Sequence, residues 1–291
     1  MATTILQSPS SLPPVPAMNP YRMAQVARRP VEFLQWATDR YGDPFRMEGP
    51  GGRLVLTSDP EGIRAIFSAD PEMFDPFDDE LLSPLVGPGS IFLLTGASHR
   101  AERKLLMPPF HGARMRAYGE QIRETALRCA AALPLDRPFV VQDLTQAIAQ
   151  EVIIRAVFGV VEPDRVRQFR GAVTDMINVL NPWIMFFKPL RHSFGGFGPW
   201  ARFLRARERL SSVLLEEIGR REANPGTGED ILSLMLNARY EDQTRMSAEV
   251  IRDELVTLLF AGHETTAISL AWSFYPVSYT HLRAHETKAN L

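Results

Sequence analysis

Apolar residues recur every three to four positions through most of this chain, which is the spacing of one helix face. Between Gly112 and Leu133 the stripe runs Met115, Ile122, Ala126, Leu127 and Ala130, and between Val141 and Phe158 it runs Leu144, Ile148, Val152 and Val157. The same pattern predicts helices over Ala97–Met107 (closed by Pro108-Pro109), Asp164–Leu180, Pro199–Glu222 and Glu229–Asn237. A last long helix opens at Ser247, where Glu249, Asp253 and Glu254 place acids near the positive end of the helix dipole. Its pattern holds through Tyr275; Pro276 is expected to break it, because proline removes a backbone donor and clashes with the preceding turn.

The first hundred residues read differently. A short helix over Pro30–Tyr41, with Val31, Phe33, Leu34 and Ala37 on one side, is ended by Gly42-Asp43-Pro44. Phe45–Met47 and Arg53–Thr57 then form a hairpin around Gly49-Pro50-Gly51-Gly52. Ser58-Asp59-Pro60 is a helix start, with Ser58 or Asp59 capping and Pro60 in the first turn of a helix to Ser68. Asp70 to Thr95 reads as a long irregular region. The predicted fold class is mainly α with a small N-terminal β region.

Composition narrows the picture only a little. The chain has 291 residues, 45% hydrophobic and 23% charged, with a formal net charge of -2, so no global basic field argues for nucleic acid. A single cysteine, Cys129, excludes an intramolecular disulfide framework. The proline-rich lead, residues 1–20, lacks the apolar core of a secretory signal, and no stretch reaches the roughly 20 apolar residues that cross a bilayer. Leu255 to Gly262 is apolar but short. The expectation is a soluble, cytoplasmic protein without a transmembrane anchor, a peripheral membrane contact staying open.

The most informative stretch is Ala261-Gly262-His263-Glu264-Thr265-Thr266, set inside the apolar pattern of the last helix. A carboxylate there costs several kcal/mol unless it is hydrogen-bonded or neutralised, and adjacent threonines lower helix propensity. Ala261 and Gly262 remove bulk at one point, a notch able to admit a small ligand. Thr265 can donate to the carbonyl of Ala261, four residues back. The plain alternative is a small-residue helix crossing. His263-Glu264 also begins the zinc-protease pattern, but that needs a second His at 267, where Ala267 stands; His285-Glu286 fails likewise at Ala289. Upstream, His99 and Arg103 lie one helical turn apart, a pair suited to anionic carboxylates or, in the plain reading, part of a solvated basic face with Arg100 and Lys104.

Taken in order, Tyr41-Gly42-Asp43-Pro44-Phe45, Ser58-Asp59-Pro60, His99-Arg100-Ala101-Glu102-Arg103-Lys104 and Ala261-Gly262-His263-Glu264-Thr265-Thr266 resemble motifs of the cytochrome P450 family of haem-thiolate monooxygenases. The resemblance covers roughly residues 20 to 275. It implies haem as cofactor, with His99 and Arg103 on its propionates and Ala261 and Gly262 against its face. Glu264 and Thr265 would form an acid-alcohol pair that holds oxygen and water and passes protons from solvent. A substrate pocket would be lined by Phe77, Leu82, Ile91, Phe92 and Leu258, and the break from Asn181 to Trp200, with Trp183, Phe186, Phe187, Phe194 and Phe197, would lie between two lid helices. It further implies an apolar small-molecule substrate and a ferredoxin or flavoprotein reductase as electron donor, with Arg100, Arg103, Lys104, Arg114 and Arg116 contributing to docking.

One part of the family pattern is missing. The iron ligand of the family is a cysteine thiolate in a downstream Phe- and Gly-rich loop, whereas Cys129 sits in an upstream amphipathic helix and reads as a small buried residue. Glu120/Arg123, Glu217/Arg220 and Glu249/Arg252 have the spacing of the family's Glu-x-x-Arg pair, but all precede the oxygen-binding helix. The expectation is an N-terminal fragment, inactive by itself: residues 21–275 as a partial domain, and 276–291 as a tail foreign to it. The rival from another class is a haemless helical binding or scaffold module built on the same fold.

Overall fold

A short side-chain carbonyl followed by proline opens two of the first three helices. In the computed structural model, which describes residues 19–49, 52–75, 79–110, 112–134, 136–180, 184, 190–193, 195–224, 228 and 230–289, Asn19 accepts the Arg22 N–H at 2.9 Å and starts α1, Pro20–Arg28. The proline-rich reading of the N-terminus passed over this helix. Asp59 accepts the Gly62 N–H at 2.7 Å and starts α3, Pro60–Ser68, with the bounds that its cap and proline predicted. Between them, α2 (Pro30–Tyr41) buries Phe33 and Ala37. Strand β1 (Phe45–Gly49) pairs antiparallel with β2 (Gly52–Leu56), Phe45 opposite Leu56 and Gly49 opposite Gly52. Asp43 ties off the hairpin's open end, accepting from Thr57 Oγ1 at 2.6 Å, from Ser58 N at 2.7 Å and from the Ser58 hydroxyl. Those bonds hold its carboxyl below the usual range.

These elements fall in one of the chain's two units, residues 1–75 with 182–191; the second unit comprises residues 76–181 and 192–291. The second begins with a departure from expectation. The segment read as irregular contains α4, Asp79–Val86, which includes Pro84, and a 3-10 turn at Ile91–Leu93. Pro84 stands in the last turn of this short helix, where its missing donor removes one backbone bond, so it marks a weak helix as readily as a loop. Then follow α5 (Gly96–Leu106), α6 (Ala113–Ala131), α7 (Val141–Val152), α8 (Pro163–Val179), α9 (Pro199–Ala223), α10 (Ile231–Asn237) and α11 (Ala248–Ala289). Helix α11 runs 42 residues and passes straight through Pro276, correcting the expected break. Proline costs about 3 kcal/mol inside a helix, a local penalty that helical flanks on both sides can outweigh.

The core of this unit forms where α7 packs on α11 and α8 on α9. Ile154, Phe158, Phe169, Met176, Phe203, Leu210, Leu214, Ile218, Leu232, Met235, Ile251 and Leu255 are enclosed there. Helix α7 leaves by a π turn, Ile153–Val157, whose wider ring is closed by Phe158 N–H donating to the Ile153 carbonyl at 3.1 Å. A charged hub locks the lower end of α9. Glu217, fully buried, receives Arg165 Nη2 at 3.0 Å, Arg220 Nη2 at 2.9 Å and Arg221 Nε at 2.9 Å. Arg221 goes on to Asp230 at 3.0 Å and to the Gly159 carbonyl at 2.7 Å, which joins α9 to the start of α10 and the end of the π turn.

Candidate functional site

Helix α11 changes character at Ala261. From Asp253 to Val256 every residue is buried; beyond Phe260, Ala261, Thr265 and Thr266 are exposed while His263 and Ala267 stay buried. One face of the helix therefore continues the core and the other opens. Glu264 stands between them with its side chain 47% exposed. The Thr265 hydroxyl donates to the Ala261 carbonyl at 2.5 Å, a back-bond that satisfies its only proton and leaves its oxygen free to accept another. A Cβ built on Gly262 would point at α7, meeting Ile153 Cδ1 at 3.7 Å. The bulk that Gly262 leaves out is therefore on the α7 side, and the small residue on the open face is Ala261.

His263 anchors this segment. Its ring is buried, donates to the backbone carbonyl of Gln146 on α7, and carries Nδ1 3.6 Å from Glu264 Oε2. Burial lowers its pKa against the raising pull of Glu264 and Gln146, so the imidazole is neutral at physiological pH. Among the described residues no cluster of His, Cys, Asp and Glu could hold a metal ion.

On α5, His99 is half-buried and Arg103 exposed. Among the described residues neither side chain has a hydrogen-bond or ion-pair partner. Lys104 is committed to Glu241 at 2.8 Å, and an open groove of about 1030 Å³, lined by Arg100, Lys104, Arg239 and the 240–244 turn, runs along the opposite side of the helix. None of the predicted pocket residues lines that groove. Glu102 turns inward, its Oε2 accepting from Tyr240 at 2.7 Å. Burial pushes its carboxyl up against that hydrogen bond.

Among the predicted pocket residues, Leu82 on α4, Ile91, and Leu258 on α11 are half-buried and Phe92 is 47% exposed. The turn carrying Ile91 and Phe92 touches both α5 and α11, so it is the element that brings the two predicted clusters near one another. Phe77, Trp183, Phe186, Phe187 and Phe194 lie outside the described residues; Phe197 is 77% exposed. Cys129 is half-buried on α6, its thiol pushed up by burial and then by the charge of Glu151. A thiolate ligand needs the opposite shift.

Sequence reasoning missed one set of contacts. Asp253 and Glu254, read as acids complementing the helix dipole, are buried and reach the turn before α5. Asp253 Oδ2 accepts Gly89 N–H at 2.9 Å, Glu254 Oε1 accepts Ile91 N–H at 2.7 Å, and the Thr257 and Ser90 hydroxyls are 2.7 Å apart. The usable signal was two adjacent acids on the apolar side of a helix.

Known proteins resemble this chain over nearly its whole length. Residues 9–282 match the family model described as Cytochrome P450. Cytochrome P450 138 of Mycobacterium tuberculosis is 35% identical over 237 residues, covering 78% of this chain and 51% of that protein. Cytochrome P450 135B1 of the same organism is 32% identical over 273 residues, covering 91% and 57%. The chain thus spans little more than half the length of these relatives. Among solved structures, a retinoic-acid-bound cyanobacterial CYP120A1 superposes with a TM-score of 0.76 at 20% identity, covering 96% of this chain and 64% of that one. The heme domain of cytochrome P450DA gives 0.75 at 21%, covering 94% and 62%. At such identities the likeness is one of fold.

Proposed function

The chain belongs to the cytochrome P450 family, and from that premise we propose that it is part of a haem-dependent monooxygenase that inserts one oxygen atom into an apolar organic substrate. The observation that carries the reading is the split exposure of α11. Ala261 and Thr265 face the open side with Glu264 beside them, while His263 locks the same turn to α7. An acid and a hydroxyl flank a small residue at the point where the described part of the helix passes from core to uncovered surface.

The family's haem can be tested against the residues present. Its propionates fit α5, where the donors of His99 and Arg103 stand one turn apart and uncommitted. Its oxygen-binding face fits the open side of α11, kept low at Ala261. Among the described residues its iron finds no ready thiolate, since the Cys129 thiol is disfavoured as one; we assign the ligand to the part of the relatives' length that this chain does not span. When bound, haem supplies oxygen activation with two electrons from a ferredoxin- or flavoprotein-type donor.

The chain's own residues do the rest. His99 and Arg103 would hold the cofactor's carboxylates by charge-assisted bonds. Thr265, its proton parked on the Ala261 carbonyl, accepts a hydrogen bond from a water and so orients that water's other proton toward the open face. Glu264 links this point to solvent and relays protons inward. Ile91, Phe92, Leu82 and Leu258 would exclude water around the substrate. Among the described residues no helix is long and apolar enough to cross a membrane.

The test begins at the locus. Sequence beyond Leu291 that continues the frame into a cysteine-bearing Phe- and Gly-rich loop supports the enzyme, and its absence supports the haemless module. The chain of 291 residues, expressed with haem precursors, is expected to lack the reduced, CO-bound Soret band of a thiolate-ligated haem; observing that band would overturn the assignment of the ligand to downstream sequence.

A further inference from the structure

We propose that Asp253, Glu254 and Thr257 form a three-point clasp that fixes the segment from Gly87 to Leu93 on α11, making Glu254 a positioning residue for substrate recognition. The proposal rests on the reading above that Ile91 and Phe92 wall the pocket. Its three bonds join residues more than 160 positions apart, and Ser90, Asp253, Glu254 and Thr257 are all buried. Thr257 also donates to the Asp253 carbonyl at 2.7 Å, tying the clasp's two ends together.

The segment is shaped to lie on this acid row. Gly87 adopts φ +88°, and a Cβ there would fall 2.2 Å from Asp253 Cγ; one on Gly89 would fall 3.1 Å from Asp253 Oδ2. A side chain at either position would lift the segment off the helix. Seated as it is, the segment holds Ile91 by its own amide, and the neighbouring Phe92 N–H donates to Ser90 Oγ at 3.2 Å. Two consecutive candidate pocket residues thus have their backbone set by the clasp.

The two acids have different neighbours. Arg252 Nη2 sits 2.6 Å from Asp253 Oδ1, whereas among the described residues no cation pairs with Glu254. Facing Glu254 are Glu102 from α5, Tyr240 from the loop before α11 with its hydroxyl on Glu102, and Asp253 on its own helix. Glu102 Oε1 and Glu254 Oε2 are both enclosed without a partner. Burial, then the charge of Glu102, pushes Glu254 up to about 8, with the Ile91 amide pulling down and Asp253 adding to the rise. At neutral pH the clasp is closed by an uncharged carboxyl. Ionisation would place a new charge beside Glu102 in a dry site, a strain that hydration relieves by loosening the segment.

Amide hydrogen exchange on the purified chain, read as protection factors at Gly89 and Ile91, tests the clasp without any haem. Protection should fall at least about tenfold between about pH 6.5 and pH 9 in the native chain. Glu254→Gln should hold its protection across that range, and Glu254→Ala should lose it at both ends. Should Glu254→Ala not fold, Thr257→Val loosens the other end and should lower the same two amides. Protection at Ile91 within about twofold of native in Glu254→Ala, or an unchanged pH loss in Glu254→Gln, would overturn the clasp. The link to substrate is read separately, in the haem-loaded longer protein, as the relative affinities of a series of fatty acids of increasing length. A reordered series in Glu254→Ala supports positioning, and an unchanged series with loosened amides overturns it. Failure of the longer protein to take up haem, with the amides behaving as stated, would sink the monooxygenase reading instead.

Discussion

Glu217 and Glu254 are both completely enclosed glutamates on long helices, and the protein treats them in opposite ways. Glu217 is surrounded by Arg165, Arg220 and Arg221. Burial pushes its carboxyl up, but the bonds from Arg220, Arg165 and Arg221 together outweigh that and hold it below the ordinary carboxylate range. Glu254 has one backbone amide and another acid nearby, and burial wins. The first site is a fastening whose charge is matched from three sides. The second stores a proton next to a segment that the proposed substrate must meet. Enclosure alone therefore says little about a buried acid; the sign of its neighbours decides what it does.

The contrast breaks most visibly at Glu217. Glu217→Ala takes the shared buried acceptor from Arg165, Arg220 and Arg221, leaving Arg165 to Glu216 and Arg221 to Asp230 and the Gly159 carbonyl, and should cost about 3–5 kcal/mol in urea denaturation; a loss under about 1 kcal/mol would show that those remaining partners, not Glu217, satisfy the guanidinium groups. Glu254→Gln should be nearly neutral in acid and, at pH 9, more stable than the native chain by roughly 1–3 kcal/mol, the scale of a relieved buried polar group.

The pH profile separates the two acids without mutation. Glu217 binds its proton less tightly folded than unfolded, so its contribution is present above the ordinary carboxylate range and fades as pH falls through it. Glu254 binds its proton more tightly folded, so its contribution is full in acid and is lost as pH rises from the carboxylate range through about 8. Denaturation midpoints of native chain, Glu217→Gln and Glu254→Gln across this span should show the acid limb flattened by one variant and the alkaline limb by the other.

Smaller effects concern α11 itself. Gly262→Ala adds a methyl at ordinary contact distance from Ile153 and removes a mid-helix glycine, so thermal unfolding should show a gain of about 0.5–1 kcal/mol. A loss would mean that α7 and α11 cannot accommodate the added methyl. Thr265→Val removes an exposed back-bond and should change stability by no more than about 0.5 kcal/mol, in keeping with a hydroxyl kept for chemistry rather than for the fold.

Local signals carried most of the secondary structure. Asp59-Pro60 and the helical periods of α6 to α9 predicted elements within a few residues of those found. Pro276 misled, because the penalty is local and helical flanks can override it, and α4 lay hidden in a segment that reads as irregular. The site was legible where its oddity lay within one turn, as in the Ala261–Thr266 stretch and its Thr265 back-bond. It was illegible where the partner is remote. Nothing near Glu254 names Ile91 or Glu102, nothing near Gly262 names Ile153, and nothing near His263 names Gln146.

The π turn at Ile153–Val157 has a consequence for insertions and deletions. Its ring spends one residue more than an α turn, which shifts the phase of everything after it, letting Ile154 and Phe158 both reach the interior before Gly159 swings the chain beneath Asp230. Removing a single residue there would let the coil close to ordinary pitch, yet rotate Phe158 out of its seat and misalign the Gly159 carbonyl that Arg221 grips. A one-residue deletion at 155 should thus be more damaging than Arg155→Ala, which gives up a half-buried guanidinium's bond to Glu151, making chain length the quantity this stretch holds most firmly.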